Sequence, residues 1–250
     1  MVKAIVLAGG YATRLYPLTL NRAKPLLKVA GRPMMEHVLM RISRIDEIDI
    51  VFVVTNDRFH CDFVNWAQSF APSYSKPIHV LNDGTRTNES RLGAIGDLVF
   101  VVNQERICDD CLVVAGDNLF DFELRQFVEF FKEHGTTVGL YVVKDMDLVR
   151  RYSIVELDAR GRIIYFEEKP QNPKTNLVAI CLYLLKQTDL PLLHEYQCDG
   201  QPMDAPGYFI QWLHKRTEVY GFPFHGIWFD IGDHKSLEQA NRVFSKLQEE

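Results

Sequence analysis

The sequence predicts an α/β fold: a mostly parallel sheet with helices on both faces, followed by a β-rich subregion. Three observations carry this expectation. Apolar segments of strand length alternate with segments of helical spacing through the first half of the chain, a strand-rich texture replaces the alternation after Gly135, and no stretch rich in Gly, Ser and Pro separates the two parts. With 250 residues, 47% of them apolar, the chain can bury a sizeable core. It is therefore read as a single domain, 1–250, with a first half, 1–134, and a second half, 135–250.

Taken in order, Lys3 to Leu7 reads as a short buried strand that opens at once into Gly9 and Gly10, as α/β folds do where a strand ends in a ligand loop. After a turn at Gly31-Arg32-Pro33, the apolar residues Met34, Met35, Val38, Leu39, Ile42 and Ile45 fall at helical spacing, and Ile48 to Thr55 reads as a fully buried strand. Strand, helix and strand make a βαβ unit. The alternation continues with a helix around Asp57 to Phe70, a strand at Ile78 to Leu81, a helix at Leu92 to Val102, and a strand at Cys111 to Ala115 that ends in Gly116-Asp117. Such alternation implies parallel strands covered on both faces. A helix at Glu123 to His134 precedes the strands Thr137 to Val143, Ser153 to Leu157 and Arg162 to Phe166, the last two joined as a hairpin across Asp158-Ala159-Arg160-Gly161. A strand at Leu177 to Leu184, a helix at Gly207 to Lys215, short strands near Glu218 to Phe222 and Ile227 to Phe229, and a helix from Lys235 follow. No fixed-period repeat or low-complexity tract interrupts them.

Charge argues against one class of partner. Lys and Arg number 28 against 33 Asp and Glu, a net −5, so there is no basic surplus to hold a nucleic-acid backbone. The longest apolar run, Leu177 to Leu185, falls far below the ~20 residues that span a bilayer, and MVKAIVLAGG lacks the pattern of a signal peptide. A cytoplasmic protein with no membrane partner is expected. Five cysteines, an odd number spread along the chain, read as reduced thiols, and Cys108 and Cys111 form a CxxC with no second pair to complete a zinc site. The eight histidines show no HExxH or other ligand spacing, and no Ser/His/Asp or Cys/His set stands out.

The most informative segment is Leu7-Ala8-Gly9-Gly10-Tyr11-Ala12-Thr13-Arg14-Leu15, with Lys24-Pro25-Leu26-Leu27 beyond it. Glycines let backbone N–H groups approach a phosphate chain, Arg14 offers a planar fork and Lys24 a point charge, which together suit a triphosphate; the bland alternative is a tight turn with two surface cations. Neither the P-loop pattern GxxxxGK[ST] nor the dinucleotide fingerprint GxGxxG occurs. Asp117 and Asp230 each lie just past an apolar strand, where α/β folds place their sites, and carboxylate oxygens suit hard Mg²⁺; turn or helix-capping roles are the alternative.

LAGGYATRLYPLT followed by AKPLLKVAGRPM resembles the signature of the sugar-1-phosphate nucleotidylyltransferases. Gly116-Asp117-Asn118, Glu167-Glu168-Lys169-Pro170 and Trp228-Phe229-Asp230-Ile231-Gly232 recur in that family's order and approximate spacing, so the resemblance covers about the whole chain. It implies a Rossmann-like fold with a nucleotide-binding half and a β-rich sugar-phosphate-binding half. The implied reaction has a sugar-phosphate oxygen attack the α-phosphorus of a nucleoside triphosphate in line, with pyrophosphate leaving and no protein nucleophile. The likeness is greatest to members that join glucose 1-phosphate to dTTP. It implies Mg²⁺ held by Asp117 and Asp230, catalytic roles for these two with Arg14 and Lys24, and nucleotide contacts from Leu7, Ala8, Gly9, Gly10, Thr13, Arg14, Lys24, Gly93 and Asp117. Gly139, Glu168, Lys169, Asn176 and Val178 are the implied sugar-phosphate contacts, with Lys169 on the phosphate and Glu168 on sugar hydroxyls.

The sequence departs from the family's pattern at Ala12, where many members have a glycine, and along Leu81 to Gly93, which is longer and carries Asn82-Asp83 where a base-reading glutamine is expected. The Asn82 amide complements the edge of thymine or uracil, whereas Asp83 suits the amine of cytosine; backbone of Leu7, Ala8 and Gly9 close to the ring would exclude purines. The expectation is dTTP or UTP with glucose 1-phosphate, used within ~10-fold of one another because a methyl group discriminates weakly. CTP or GTP, mannose 1-phosphate and a non-sugar phosphate are the alternatives within the reaction class, and a non-catalytic regulatory subunit is the alternative outside it. The chain stops soon after this core, without the hexapeptide-repeat β-helix many relatives append, so homo-oligomerisation and allosteric control stay open.

Overall fold

The computed structural model describes residues 1–247. The first half runs β1 (Val2–Leu7), β2 (Lys28–Val29), β3 (Arg32–Pro33), α1 (Met34–Ile42), β4 (Ile48–Thr55), α2 (His60–Phe70), β5 (Ile78–Asn82), α3 (Gly93–Gln104), β6 (Asp110–Ala115), β7 (Asn118–Phe120) and α4 (Arg125–His134). The second half runs β8 (Thr137–Val142), α5 (Met146–Val149), β9 (Ser153–Leu157), β10 (Ile163–Glu168), β11 (Leu177–Leu185), α6 (Leu192–Cys198), α7 (Pro206–Leu213), β12 (Tyr220–Pro223), β13 (Trp228–Asp230) and α8 (His234–Leu247).

A nine-stranded sheet in the order β10-β9-β11-β6-β1-β4-β5, with β8 also on β11 and β12 on β8, forms the centre. Its first-half strands β6, β1, β4 and β5 are parallel, as the helix crossovers between them require. Strand β11 then pairs antiparallel with β6, β8 and β9, so the two halves share one sheet. Side chains alternate across β1: Val2, Ala4 and Val6 join one core layer with α1, α2 and α4, and Ile5 joins the other with α3, α6 and α7. This gives the α/β sheet with helices on both faces. No helix among the described residues is long and apolar enough to cross a membrane.

Most element boundaries fall close to the sequence reading, and the differences have local causes. The helix expected from Asp57 starts at His60, because the Asn56 side chain accepts from the Phe59 N–H and holds a turn first. Gly31-Arg32-Pro33 is not one turn: Arg32 and Pro33 pair as β3 with β2. The α4 helix stops at Gly135, whose φ of 97 suits glycine. Five short elements escaped the sequence reading, the strands β2, β3 and β7 and the helices α5 and α6, each too short for periodicity to register. All five cysteines are free.

Candidate active site

The carboxyl ends of β6 and β1 open onto a cavity of about 330 Å³ that also takes in the start of α3, the end of β10 and strand β11. Leu7, Gly9, Gly10, Gly93, Asp117, Glu168, Lys169 and Asp230 all line it. The buried Asn56 fixes the glycine loop by donating its amide to the Gly9 carbonyl at 2.9 Å.

Asp117 and Asp230 are brought together by β7 and β13. Asp230 pairs with Asn118 across this two-stranded antiparallel ribbon, and the Ile231 N–H donates to the Asp117 carbonyl at 3.3 Å. Lys24, at the start of a 3₁₀ turn with its Pro25 and Leu26 buried, places Nζ 2.5 Å from Asp117 Oδ2. The other oxygen, Asp117 Oδ1, accepts from Asn118 Nδ2 at 3.2 Å, and Asn118 Oδ1 in turn accepts from Trp228 Nε1 at 2.7 Å. Every acceptor on Asp117 is thus oriented by a neighbour. Burial and the charge on Asp117 push the Asp230 carboxyl up to about 6, against the pull of Lys24, Arg14 and Arg151.

Across the cavity the end of β10 presents Glu168 and Lys169. The Glu168 side chain, only 5% exposed, accepts from Ser153 Oγ and lies 3.3 Å from Lys169 Nζ. A side chain at Gly207 would start 2.0 Å from Glu168 Oε2, so the bare backbone at the start of α7 is what lets the carboxylate lie there. Lys169 itself holds a left-handed backbone, φ 49, with its N–H on the Tyr152 carbonyl at 3.1 Å. A non-glycine residue in this region is sustained by its surroundings and is found at functional sites more than elsewhere.

A model of the family described as nucleotidyl transferase matches residues 3–246. The chain belongs to that family. It is 33% identical over 245 residues, 96% of its length, to a Sulfolobus acidocaldarius protein named as a mannose-1-phosphate guanyltransferase, and spans 62% of that relative. To the glucose-1-phosphate thymidylyltransferase of Neisseria meningitidis it is 27% identical, covering 99% of this chain and 84% of the other. A solved Bacillus anthracis structure named as a glucose-1-phosphate thymidylyltransferase, in complex with sucrose, superposes with a TM-score of 0.78 at 26% identity, over 98% of this chain and 96% of that one. The nucleotidyl transferase family's Rossmann-like core is therefore this chain's core.

Several residues expected at the site stand elsewhere in this chain. Asn82 does not line the cavity: its amide donates to Asp57 Oδ1 at 2.7 Å and its carbonyl accepts from the Gly84 N–H at 2.9 Å, so both ends are used inside its own loop. Gly139 lies within β8, where a Cβ would meet the ring of Phe224 at 3.1 Å and Leu182 at 3.2 Å; its missing side chain makes room for core packing, away from the cavity. Val178 is buried among Val143, Val149 and Ile154, and the next residue, Ala179, lines the cavity, because neighbours on a strand face opposite ways. Asn176 is exposed and gives its carbonyl to Val143 N–H. Ala8 is buried with its N–H on Val54, while Thr13 and Arg14 sit in an exposed 3₁₀ turn. Arg151, Tyr152, Ser153 and Trp228 line the cavity without having been foreseen; so does Asp97, which a sequence reader can find as the one charge in the otherwise uncharged helix α3.

Proposed function

We propose that the chain transfers a nucleotidyl group from a nucleoside triphosphate to a hexose 1-phosphate, with glucose 1-phosphate the favoured acceptor and mannose 1-phosphate its competitor. One observation carries this reading: Asp117 and Asp230 meet at one end of a cavity with Lys24 on the first, while Lys169 and Glu168 stand across it. The relatives' names support the reaction class and supply both sugars.

Asp117 and Asp230 fit a divalent cation that prefers oxygen. Burial, then the charge on Asp117, holds Asp230 up to about 6, and a bound cation would relieve it. No third His, Cys, Asp or Glu joins them among the described residues, which leaves the other positions to phosphate and water oxygens, as Mg²⁺ takes them. When bound, Mg²⁺ would offset charge on the triphosphate as it reacts. Lys24 and Arg14 would draw the β- and γ-phosphates, the part that departs as pyrophosphate. Lys169 would hold the sugar phosphate so that its oxygen faces the α-phosphorus in line, forming a new P–O bond as the bond to the β-phosphate oxygen breaks. Glu168, its carboxylate kept in place by Ser153, would accept from sugar hydroxyls. Five free thiols fit a reducing cytoplasm.

A panel of hexose 1-phosphates against five nucleoside triphosphates, scored by pyrophosphate release with and without chelator, tests this. Metal-dependent release from one pairing is expected, with Asp117→Asn slower by at least ~100-fold. Silence from every pairing, or full turnover in excess chelator, overturns the reading.

A further inference from the structure

The loop that follows β1 is held by two buried side chains that do not line the cavity. Asn56, just past β4 and fully buried, donates Nδ2 to the Gly9 carbonyl at 2.9 Å and accepts at Oδ1 from the Phe59 N–H at 3.1 Å, so both ends of its amide are committed. Thr19, buried in an otherwise exposed turn, donates Oγ1 to the Ala12 carbonyl at 2.8 Å, an oxygen that also accepts from the Leu15 N–H at 3.0 Å. Ala12 keeps its left-handed φ of 47 between these contacts, a conformation unfavourable for a residue with a side chain. On the side of α3, a Cβ on Gly9 would stand 2.5 Å from Asp97 Oδ2, an approach that only glycine admits. Burial, then the charge on Asp83, pushes the Asp97 carboxyl up to about 8, so it holds its proton at neutral pH and adds no charge beside the loop.

A peptide unit is planar, and its C=O and N–H point opposite ways. The Gly9 carbonyl, held on Asn56, therefore turns the Gly10 N–H away from Asn56 and the core, towards the side on which Gly9 and Gly10 line the cavity. That N–H meets no backbone carbonyl among the described residues. The Ala12 carbonyl, held on Thr19, likewise turns the Thr13 N–H away from the buried hydroxyl, next to Arg14. We infer that Asn56 and Thr19 are positioning residues for the triphosphate: by fixing two carbonyls they aim two main-chain donors at its phosphates before it binds. The inference rests on the nucleotidyl-transfer reading. Donors already in place need no reordering as charge develops on the departing phosphates, whereas a loop free to turn its peptide planes loses part of that stabilisation. Neither side chain lines the cavity, so each acts through the backbone alone.

Kinetics on the pairing of triphosphate and sugar phosphate that turns over test this with three variants. Thr19→Val keeps the shape and removes the hydroxyl, Thr19→Ser keeps the hydroxyl, and Asn56→Asp keeps the acceptor for Phe59 while an oxygen replaces the donor to Gly9. Thr19→Val and Asn56→Asp should each lower kcat/KM for the triphosphate about tenfold or more, with KM for the sugar phosphate within about twofold of wild type, and Thr19→Ser should restore the rate. A valine variant at the wild-type rate, equal losses on both substrates, or a serine variant as impaired as the valine one overturns the inference. A measurement on wild type decides whether or not the variants fold. With glycine labelled selectively in 15N, the Gly10 amide, identified among 15 glycine signals by its disappearance in Gly10→Ala, should move downfield when GTP, ATP, dTTP, UTP or CTP binds with Mg²⁺ and stay in place with the matching nucleoside. An unmoved Gly10 amide with pyrophosphate release intact overturns the inference and leaves the transfer reading standing; a Gly10 shift on triphosphate binding without release from any sugar phosphate does the reverse.

Discussion

Lys169 and Ala12 keep left-handed backbone, φ 49 and 47, at the two loops that face the cavity region, a conformation unfavourable by about 1–2 kcal/mol for a residue with a side chain. At Lys169 the strain and the ammonium can be separated: Lys169→Gly removes both, Lys169→Ala only the charge. Both variants should raise KM for the sugar phosphate chiefly, and the glycine variant should melt no lower than the alanine one; a loss falling on the nucleoside triphosphate instead would place β10 against the other substrate. Asp97 gives a pH signature. Its folded pKa, about 8, stands above its ordinary 3.8, so the folded state binds the proton more tightly. The stability this contributes is complete below about pH 4 and is lost as pH rises through 8. Asp97→Asn, which never ionises, should therefore melt at least about 4 °C above wild type at pH 8.5, with the gap closing towards pH 4; a constant gap across that range would contradict the burial argument.

At the scale of elements, α8 anchors the loop that carries Arg14 and Lys24. Its Ala240 and Phe244 pack with Leu15, Leu27 and Val29, residues that flank Arg14 and Lys24, and Asn241 accepts from the Ala30 N–H at 2.7 Å. The helix is amphipathic, with charged residues outward, so packing rather than propensity holds it. Phe244→Ala should lower stability by about 3–5 kcal/mol and also slow pyrophosphate release, because the cavity it leaves lies under the loop that carries both cations. Melting temperature and turnover measured together check this: a large drop in the first with none in the second would show that the loop holds its shape without α8. The ribbon of β7 and β13 matters in the same way, since two three-residue strands are all that set Asp117 beside Asp230.

Across the whole molecule, β11 sits between β6 of the first half and β9 of the second, and the core layer under α1, α2 and α4 includes Ile180, Leu182, Leu184 and Phe224 from the second half. Residues 1–134 alone would expose the edge of β6 and the apolar faces that β11 covers. That fragment should give no cooperative thermal transition, while the full chain unfolds in one step followed by circular dichroism. Two separate transitions in the full chain would show that the halves fold independently despite the shared sheet. The cavity lies where the halves meet, so its walls depend on that continuity: Leu7, Gly9 and Asp117 come from one half, Lys169, Ala179 and Asp230 from the other.

The sequence by itself determined the local chemistry and the order of elements. Apolar periodicity is a nearest-neighbour property, so β1, α1, β4 and the β9–β10 hairpin were legible, and the motifs around Gly9, Asp117, Lys169 and Asp230 marked residues that do line one cavity. Only the tertiary structure decided which way side chains point. Asn82 had the right chemistry for a base, but Asp57, far off in sequence, takes its amide; Val178 and Ala179 differ only by the strand's two-residue period, which sends one to the core and the other to the cavity. Asp97 is the one charge in an otherwise uncharged helix and carried no sequence signal of a role; only the fold sets it against Asp83 and Gly9. Contacts between residues distant in the chain are fixed by the packing of whole elements, and no local pattern encodes them.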